Sequence, residues 1–267
     1  MKREDTVVIV NGKETDLASL EGFKAEDFDL GQIFDCGQCF RWFRNDDGIW
    51  ETPEQIDDLR FYFDMDRDYG AIKKKLADGD PVMAKAIEAG SGIRILNQPK
   101  WETLVTFIIS QNNNIPRIRK CISSLADVYG HFPSPEELAG SDLSDIACCR
   151  LGYRDKYLIE TARMVAEEPN QLEKLYGVEV AFAVDALTKY PGVGPKVANC
   201  VALFCLGIVD SFPVDVWMKR VMNQLYGIPE NNVRAMHEYA CEHFAPYGGI
   251  AQQYLFYYIT HKGVDKP

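Results

Sequence analysis

The sequence predicts an α+β protein, with an antiparallel, β-rich N-terminal domain over residues 1–95 and an all-helical bundle over residues 96–267. Three observations carry this prediction. The first 65 residues hold short β-branched or alternating runs, TVVIV, CFRWF and LRFYFD, separated by the turn-forming stretches NG, NDDG and TPEQ. From Asp68 onward the pattern changes to segments of 10 to 16 residues with apolar positions three and four apart. Most of these segments are bounded by Pro, Gly, Asp or Asn, the residues that start and stop helices.

The predicted helices follow in order as 69–78, 81–90, 100–110, 115–130, 154–168, 178–190, 195–207, 215–227, 232–244 and 249–260. No internal repeat or low-complexity linker interrupts them. With 46% hydrophobic and 26% charged residues in 267, the chain has enough apolar side chains for one or two ordinary cores. The longest apolar run, VALFCLGIV, is about half of the roughly 18 residues that a membrane span requires, so no membrane role is expected. The opening MKREDTVVIV lacks the apolar core of a secretion signal, and a cytoplasmic location is expected.

Eight cysteines without an export signal predict free thiols, not a disulfide framework. Cys36 and Cys39 form a lone CxxC, and the other close pair is the adjacent Cys148 and Cys149. Neither a four-thiolate zinc site nor an iron–sulfur cluster fits such spacing, so no structural metal is expected. The net charge of −11 ordinarily argues against nucleic acid as a partner, but binding depends on where the cations lie. Cations are nonetheless concentrated at Arg117, Arg119 and Lys120, at Arg150, Arg154 and Lys156, and at Lys219 and Arg220.

The segment YPGVGPKVANC, residues 190–200, joins two predicted helices, Ala181–Tyr190 and Pro195–Leu206, through four residues. Gly192 and Gly194 permit positive φ and close approach, Pro195 suits the first helical position, and the amides of this turn are free to face a phosphate. The Walker A alternative fails on spacing. Lys196 lies in the first helical turn, where the helix dipole opposes a cation. That opposition has a chemical use, because only an unprotonated amine attacks carbon.

This hairpin resembles that of the helix-hairpin-helix (HhH-GPD) DNA glycosylases, and Asp215, 19 residues beyond Lys196 in SFPVDVWMKR, matches the aspartate that follows it in the family. The lysine marks the bifunctional members, and the nearer match is to the 8-oxoguanine DNA glycosylase/AP lyases, from Gly37 to about Phe256. The resemblance implies a monomeric enzyme acting on damaged double-stranded DNA, associated with the nucleoid if bacterial. Lys196 is the implied nucleophile, and Asp215 both caps a helix and stabilises charge on the sugar. FIISQNNNIPR is similar to the element that inserts Asn112 into the gap left by a flipped base and reaches the opposite cytosine with Arg117. LGYRDKY is similar to the element carrying a wedge, Tyr153, and a second cytosine contact, Arg154.

Gln252 and Phe256, four residues apart on one helical face, match the residues that read and stack on the base, with Cys200 against its other side. Gly37 matches the glycine whose carbonyl accepts the N7 hydrogen of 8-oxoguanine, a hydrogen that guanine lacks. No cofactor is required, although the resemblance allows a monovalent cation between hairpin carbonyls and phosphate. Two other readings are a glycosylase for another damaged purine and a non-catalytic helix-hairpin-helix DNA-binding module. Trp217 departs from the family, standing where eukaryotic members usually have a phosphate-contacting histidine. The β region also looks shorter than theirs, and the acidic balance requires the basic clusters to share one face.

Overall fold

A computed structural model describes residues 3–261. In chain order the elements are β1 (Val7–Val10), β2 (Lys13–Asp16), α1 (Leu30–Asp35), β3 (Phe43–Arg44), β4 (Trp50–Glu51), α2 (Leu59–Tyr62), α3 (Tyr69–Ala77), α4 (Pro81–Ala89), α5 (Lys100–Ser110), α6 (Ile115–Tyr129), α7 (Pro135–Ala139), α8 (Arg154–Glu167), α9 (Val180–Leu187), α10 (Pro195–Cys205), α11 (Val216–Tyr226), α12 (Val233–His243) and α13 (Gly248–His261). The chain forms two compact units, residues 1–97 with 209–267, and residues 98–208. This differs from two continuous domains meeting at residue 95. The C-terminal helices belong with the N-terminal region because α13 packs on α4, and Tyr254 Oη donates to the Ile93 carbonyl at 3.4 Å.

In the first unit, Asn11 and Gly12 both take positive φ, which suits the tight turn between β1 and β2. The Asn11 side chain then clamps the loop before α2, donating to Ile56 O at 2.8 Å and accepting from Ile56 N at 3.2 Å. The sheet has the order β2-β1-β4-β3. It is mixed, not purely antiparallel, since β1 runs parallel to β4 with Val8 opposite Trp50. Each hairpin is antiparallel, as its turn dictates, but the connection through α1 returns the second hairpin beside the first in the same direction.

LRFYFD, expected as a strand, contains α2. Asp58 caps this helix by accepting from Phe61 N at 3.0 Å, and the cap outweighs the local β propensity. Of CFRWF, only Phe43 extends into a strand. The core here is aromatic. Trp42 stacks on Phe34 at 4.3 Å between ring centroids, and its indole N–H donates to Tyr62 Oη at 2.8 Å. Arg94 is buried in the same unit, where its Nε donates to Phe63 O at 2.9 Å and its guanidinium lies over the Tyr69 ring.

In the second unit, α5 and α10 form the centre. Residues 103–109 of α5 and 197–205 of α10 are buried throughout, and Phe107 stacks on Phe204 at 5.3 Å with 16° between the rings. Helix α6 turns Ile118, Cys121, Ile122 and Leu125 inward at the spacing of one helical face. Helix α7, which the periodicity did not predict, is set by a capping box in which Ser134 and Glu137 bond each other's backbone N–H. Among the described residues no helix is long and apolar enough to cross a membrane.

Trp42→Ala is expected to lower unfolding free energy by about 3–5 kcal/mol, because it empties the aromatic core and removes the donor to Tyr62. Urea denaturation monitored by circular dichroism checks this.

Candidate active site

The hairpin forms, with one of its two glycines at positive φ and Gly194 extended at φ −88°. Helix α9 ends near Tyr190, Gly192 takes φ 76°, and α10 starts at Pro195. A Cβ at Gly192 would sit 2.5 Å from Cδ2 of Tyr157, so glycine is required both by the backbone and by the ring against it. Thr161 Oγ1, from α8, donates to Pro191 O at 3.1 Å and ties the turn to that helix. Gly194 is the N-cap of α10 and provides no side-chain acceptor. The first-turn N–H groups at Lys196 and Val197 therefore have no partner within the helix and point out of its end, an arrangement suited to an anion.

Lys196 is half-buried, with Nζ 5.4 Å from the centroid of the Phe107 ring. The ring that stacks on Phe204 thus also underlies the amine. Cys200 is buried one turn further along α10, on the same helical face as Lys196.

Asn112 and Arg117 occupy the turn after α5 and the first turns of α6, while Tyr153 and Arg154 begin α8. Asn112 is exposed and takes φ 46°, uncommon for a residue other than glycine. Asn114 caps α6 by accepting from Arg117 N at 3.0 Å, and the Arg117 side chain stays exposed. Tyr153 is 52% exposed and meets Tyr157 edge-on at 5.9 Å, so the Tyr153 ring is linked through Tyr157 to Gly192. Arg154 is placed otherwise than expected for a base contact. It is 3% exposed, and its guanidinium donates to backbone carbonyls at Gln111, Asn112 and Leu151.

The other unit holds Gly37, Asp215, Gln252 and Phe256. Asp215 caps α11 by accepting from Met218 N at 2.8 Å and is partly exposed. Trp217, in the first turn of α11, is 41% exposed with the Arg220 guanidinium over its ring at 5.0 Å. Gly37 takes φ 77°, and a Cβ there would lie 3.3 Å from Cε1 of Phe256. The structure therefore brings Gly37 and Phe256 together. Gln252, one turn before Phe256, is buried, and its Oε1 has no hydrogen-bond partner among the described residues.

Two residues that the motifs did not single out hold the Gly37 turn. Gln38 is fully buried; its Nε2 donates to Ile33 O at 2.9 Å and to Arg94 O at 2.8 Å, while its Oε1 accepts from Leu96 N at 2.9 Å. From α13, Gln253 Nε2 donates to Cys36 O at 3.3 Å. Burial pushes the Cys36 thiol up to about 12, so it stays protonated at neutral pH and donates to Ile33 O. A trace of this role is visible in CGQCF and AQQYLF, where an amide interrupts an otherwise apolar run.

Residues 105–246 match the HhH-GPD superfamily base excision DNA repair protein family, which is more than half of the chain. The chain belongs to the HhH-GPD superfamily. Residues 50–104 of this HhH-GPD protein also match the N-terminal domain of 8-oxoguanine DNA glycosylase. Among solved structures it is similar to MBOgg1 in complex with a low-affinity DNA ligand, at 40% identity, covering 90% of this chain and 94% of that one with a TM-score of 0.83. It is also similar to the Clostridium acetobutylicum 8-oxoguanine glycosylase/lyase bound to double-stranded DNA with cytosine opposite 8-oxoguanine. There the identity is 36%, the coverage 90% and 94%, and the TM-score 0.82. A probable N-glycosylase/DNA lyase of Methanothermobacter thermautotrophicus is 27% identical over 83% of this chain and 82% of its own.

Replacing Gln38 by the similarly sized leucine strands the carbonyl of Arg94 and the amide of Leu96, while the Ile33 carbonyl keeps the Cys36 thiol. Each buried group left unpaired costs about 1–3 kcal/mol, so Gln38→Leu should lower the thermal midpoint clearly while leaving helix content intact.

Proposed function

We propose that this chain is a bifunctional DNA glycosylase/lyase that excises 8-oxoguanine, opposite cytosine, from double-stranded DNA and then cleaves the strand. The observation that carries the reading is the primary amine of Lys196 in the open first turn of α10, directly after the glycine hairpin. A module that only binds DNA needs the hairpin but has no use for that amine.

In the proposed reaction the target nucleotide is flipped out of the stack. The amine of Lys196 forms a bond to C1′ of the sugar. The bond from C1′ to the base nitrogen breaks, and the departing base takes up a proton. Asp215 stabilises the positive charge that develops on the sugar. Opening of the ring at the C1′–O4′ bond gives an imine, a proton leaves C2′, and the C3′–O bond breaks to nick the strand. Hydrolysis of the imine releases the enzyme. These are addition, elimination and proton-transfer steps, so no redox group enters them.

Base recognition is proposed to fall to Gly37, Cys200, Gln252 and Phe256. The unpaired Gln252 Oε1 supports this, because a buried acceptor left without a partner is costly and the N–H groups on the pairing edge of a guanine derivative would satisfy it. Phe256 provides the stacking face, and the Gly37 carbonyl provides the acceptor that distinguishes 8-oxoguanine from guanine at N7. Phosphate is proposed to sit at the amides of Gly192, Gly194 and the α10 turn. Asn112 and Tyr153 are proposed to fill and wedge the gap, and the enzyme is proposed to act as a monomer.

Borohydride reduction with duplex containing 8-oxoguanine opposite cytosine should trap a covalent adduct, and Lys196→Ala should abolish it. An adduct that survives in Lys196→Ala would place the nucleophile elsewhere. Asparagine at 215 keeps the helix cap but removes the charge, so Asp215→Asn should reduce single-turnover excision by at least about 100-fold with little change in lesion affinity.

A further inference from the structure

We infer that Phe107 is a positioning residue for the reaction, its ring holding the side-chain nitrogen of Lys196 and steadying the positive charge that this nitrogen bears during bond formation and strand cleavage. This rests on the glycosylase reading above. It gives a part in the chemistry to a core residue of α5 to which the motifs assign none.

The backbone and the side chain of Lys196 are held by different means. Asn199 Nδ2 donates to Pro195 O at 2.8 Å, so the first turn of α10 is pinned from within its own helix. The lysine side chain, however, keeps its several rotatable bonds. Among the described residues its nitrogen has no hydrogen-bond or ion-pair partner. What it does meet is the Phe107 ring, at 5.4 Å from the centroid, inside the roughly 6 Å over which an aromatic face attracts a cation.

That ring cannot step aside. Phe107 is 3% exposed within the buried run 103–109 of α5, and it stacks on Phe204, which lies eight residues beyond Lys196 on the same side of α10. An aliphatic residue could fill a core position of this kind. Only a ring also offers a negative face to a cation.

In the proposed reaction the nitrogen bears positive charge when its bond to C1′ forms, and again as the protonated imine through which C2′ loses its proton. The ring face favours the cationic nitrogen at both points. Confining the side chain beforehand also removes freedom that would otherwise be lost on reaching C1′. Neither effect acts on the base or on the hairpin amides, so the ring should govern rate and not affinity.

The test uses two duplexes, one with 8-oxoguanine and one with a preformed abasic site, each opposite cytosine; the second bypasses base recognition. Phe107→Leu should slow single-turnover excision on the first and nicking on the second, each by about 3- to 30-fold. In a Lys196→Gln background, which has no amine to position, Phe107→Leu should leave lesion affinity unchanged. A trifluorinated phenylalanine incorporated at position 107 keeps the ring but draws electron density from its face. It should slow both rates in the same direction while the thermal midpoint and lesion affinity stay as in wild type, and it carries the test if Phe107→Leu is too unstable to assay.

Rates unchanged by the fluorinated ring overturn the proposal alone. So does a loss of lesion affinity in the Lys196→Gln background as large as the loss of rate, since the ring would then serve only the fold. Absence of a borohydride-trapped adduct between wild type and either duplex overturns the glycosylase reading and this proposal with it.

Discussion

Phe107 is the side chain on which the arrangement of residues 98–208 turns. Its ring stacks on Phe204 and so joins the buried stretches of α5 and α10, while its other contacts include the amine of Lys196. A buried helix cannot slide without losing close packing along its whole length. The first turn of α10 is thereby held in place even though it has no side-chain cap, and its amides stay available to a ligand. Rigidity behind the hairpin and openness at its tip are two consequences of the same packing.

The other unit follows a comparable logic with polar groups. Gly37 needs a left-handed backbone beside an aromatic ring, a conformation that solvent-exposed chain would not hold. Gln38 and Gln253 hold it by satisfying surrounding carbonyls, and the thiol of Cys36 is fixed among them as a neutral donor. A fully satisfied buried network of this kind specifies one geometry, since each alternative strands a polar group. Among the described residues of this unit, the buried Oε1 of Gln252 and Nε1 of Trp50 have no hydrogen-bond partner.

Electrostatics in this protein are local. A chain with net charge −11 concentrates cations in the first turns of α6, at the start of α8 and in α11. One of these cations is not at the surface at all. Arg154 turns its donors to the backbone carbonyls of Gln111, Asn112 and Leu151. Trp217, with Arg220 across its ring, leaves an aromatic surface near the cap residue Asp215.

The sequence by itself determined the order of helices, the hairpin, and the places of Lys196 and Asp215 at helix starts, because these rest on local signals: a glycine that permits positive φ, a proline at a helix start, and carboxylates at N-caps. Periodicity also located most helices to within a few residues. It failed for α2, where a cap at Asp58 prevailed over β propensity, and for α7, whose capping box is only five residues of helix. Tertiary structure alone decided the parallel pairing of β1 with β4, the return of residues 209–267 to the N-terminal unit, and the inward turn of Arg154. Each of these depends on groups far apart in sequence finding hydrogen-bond or packing partners, and no local pattern records which distant carbonyl a buried donor will reach.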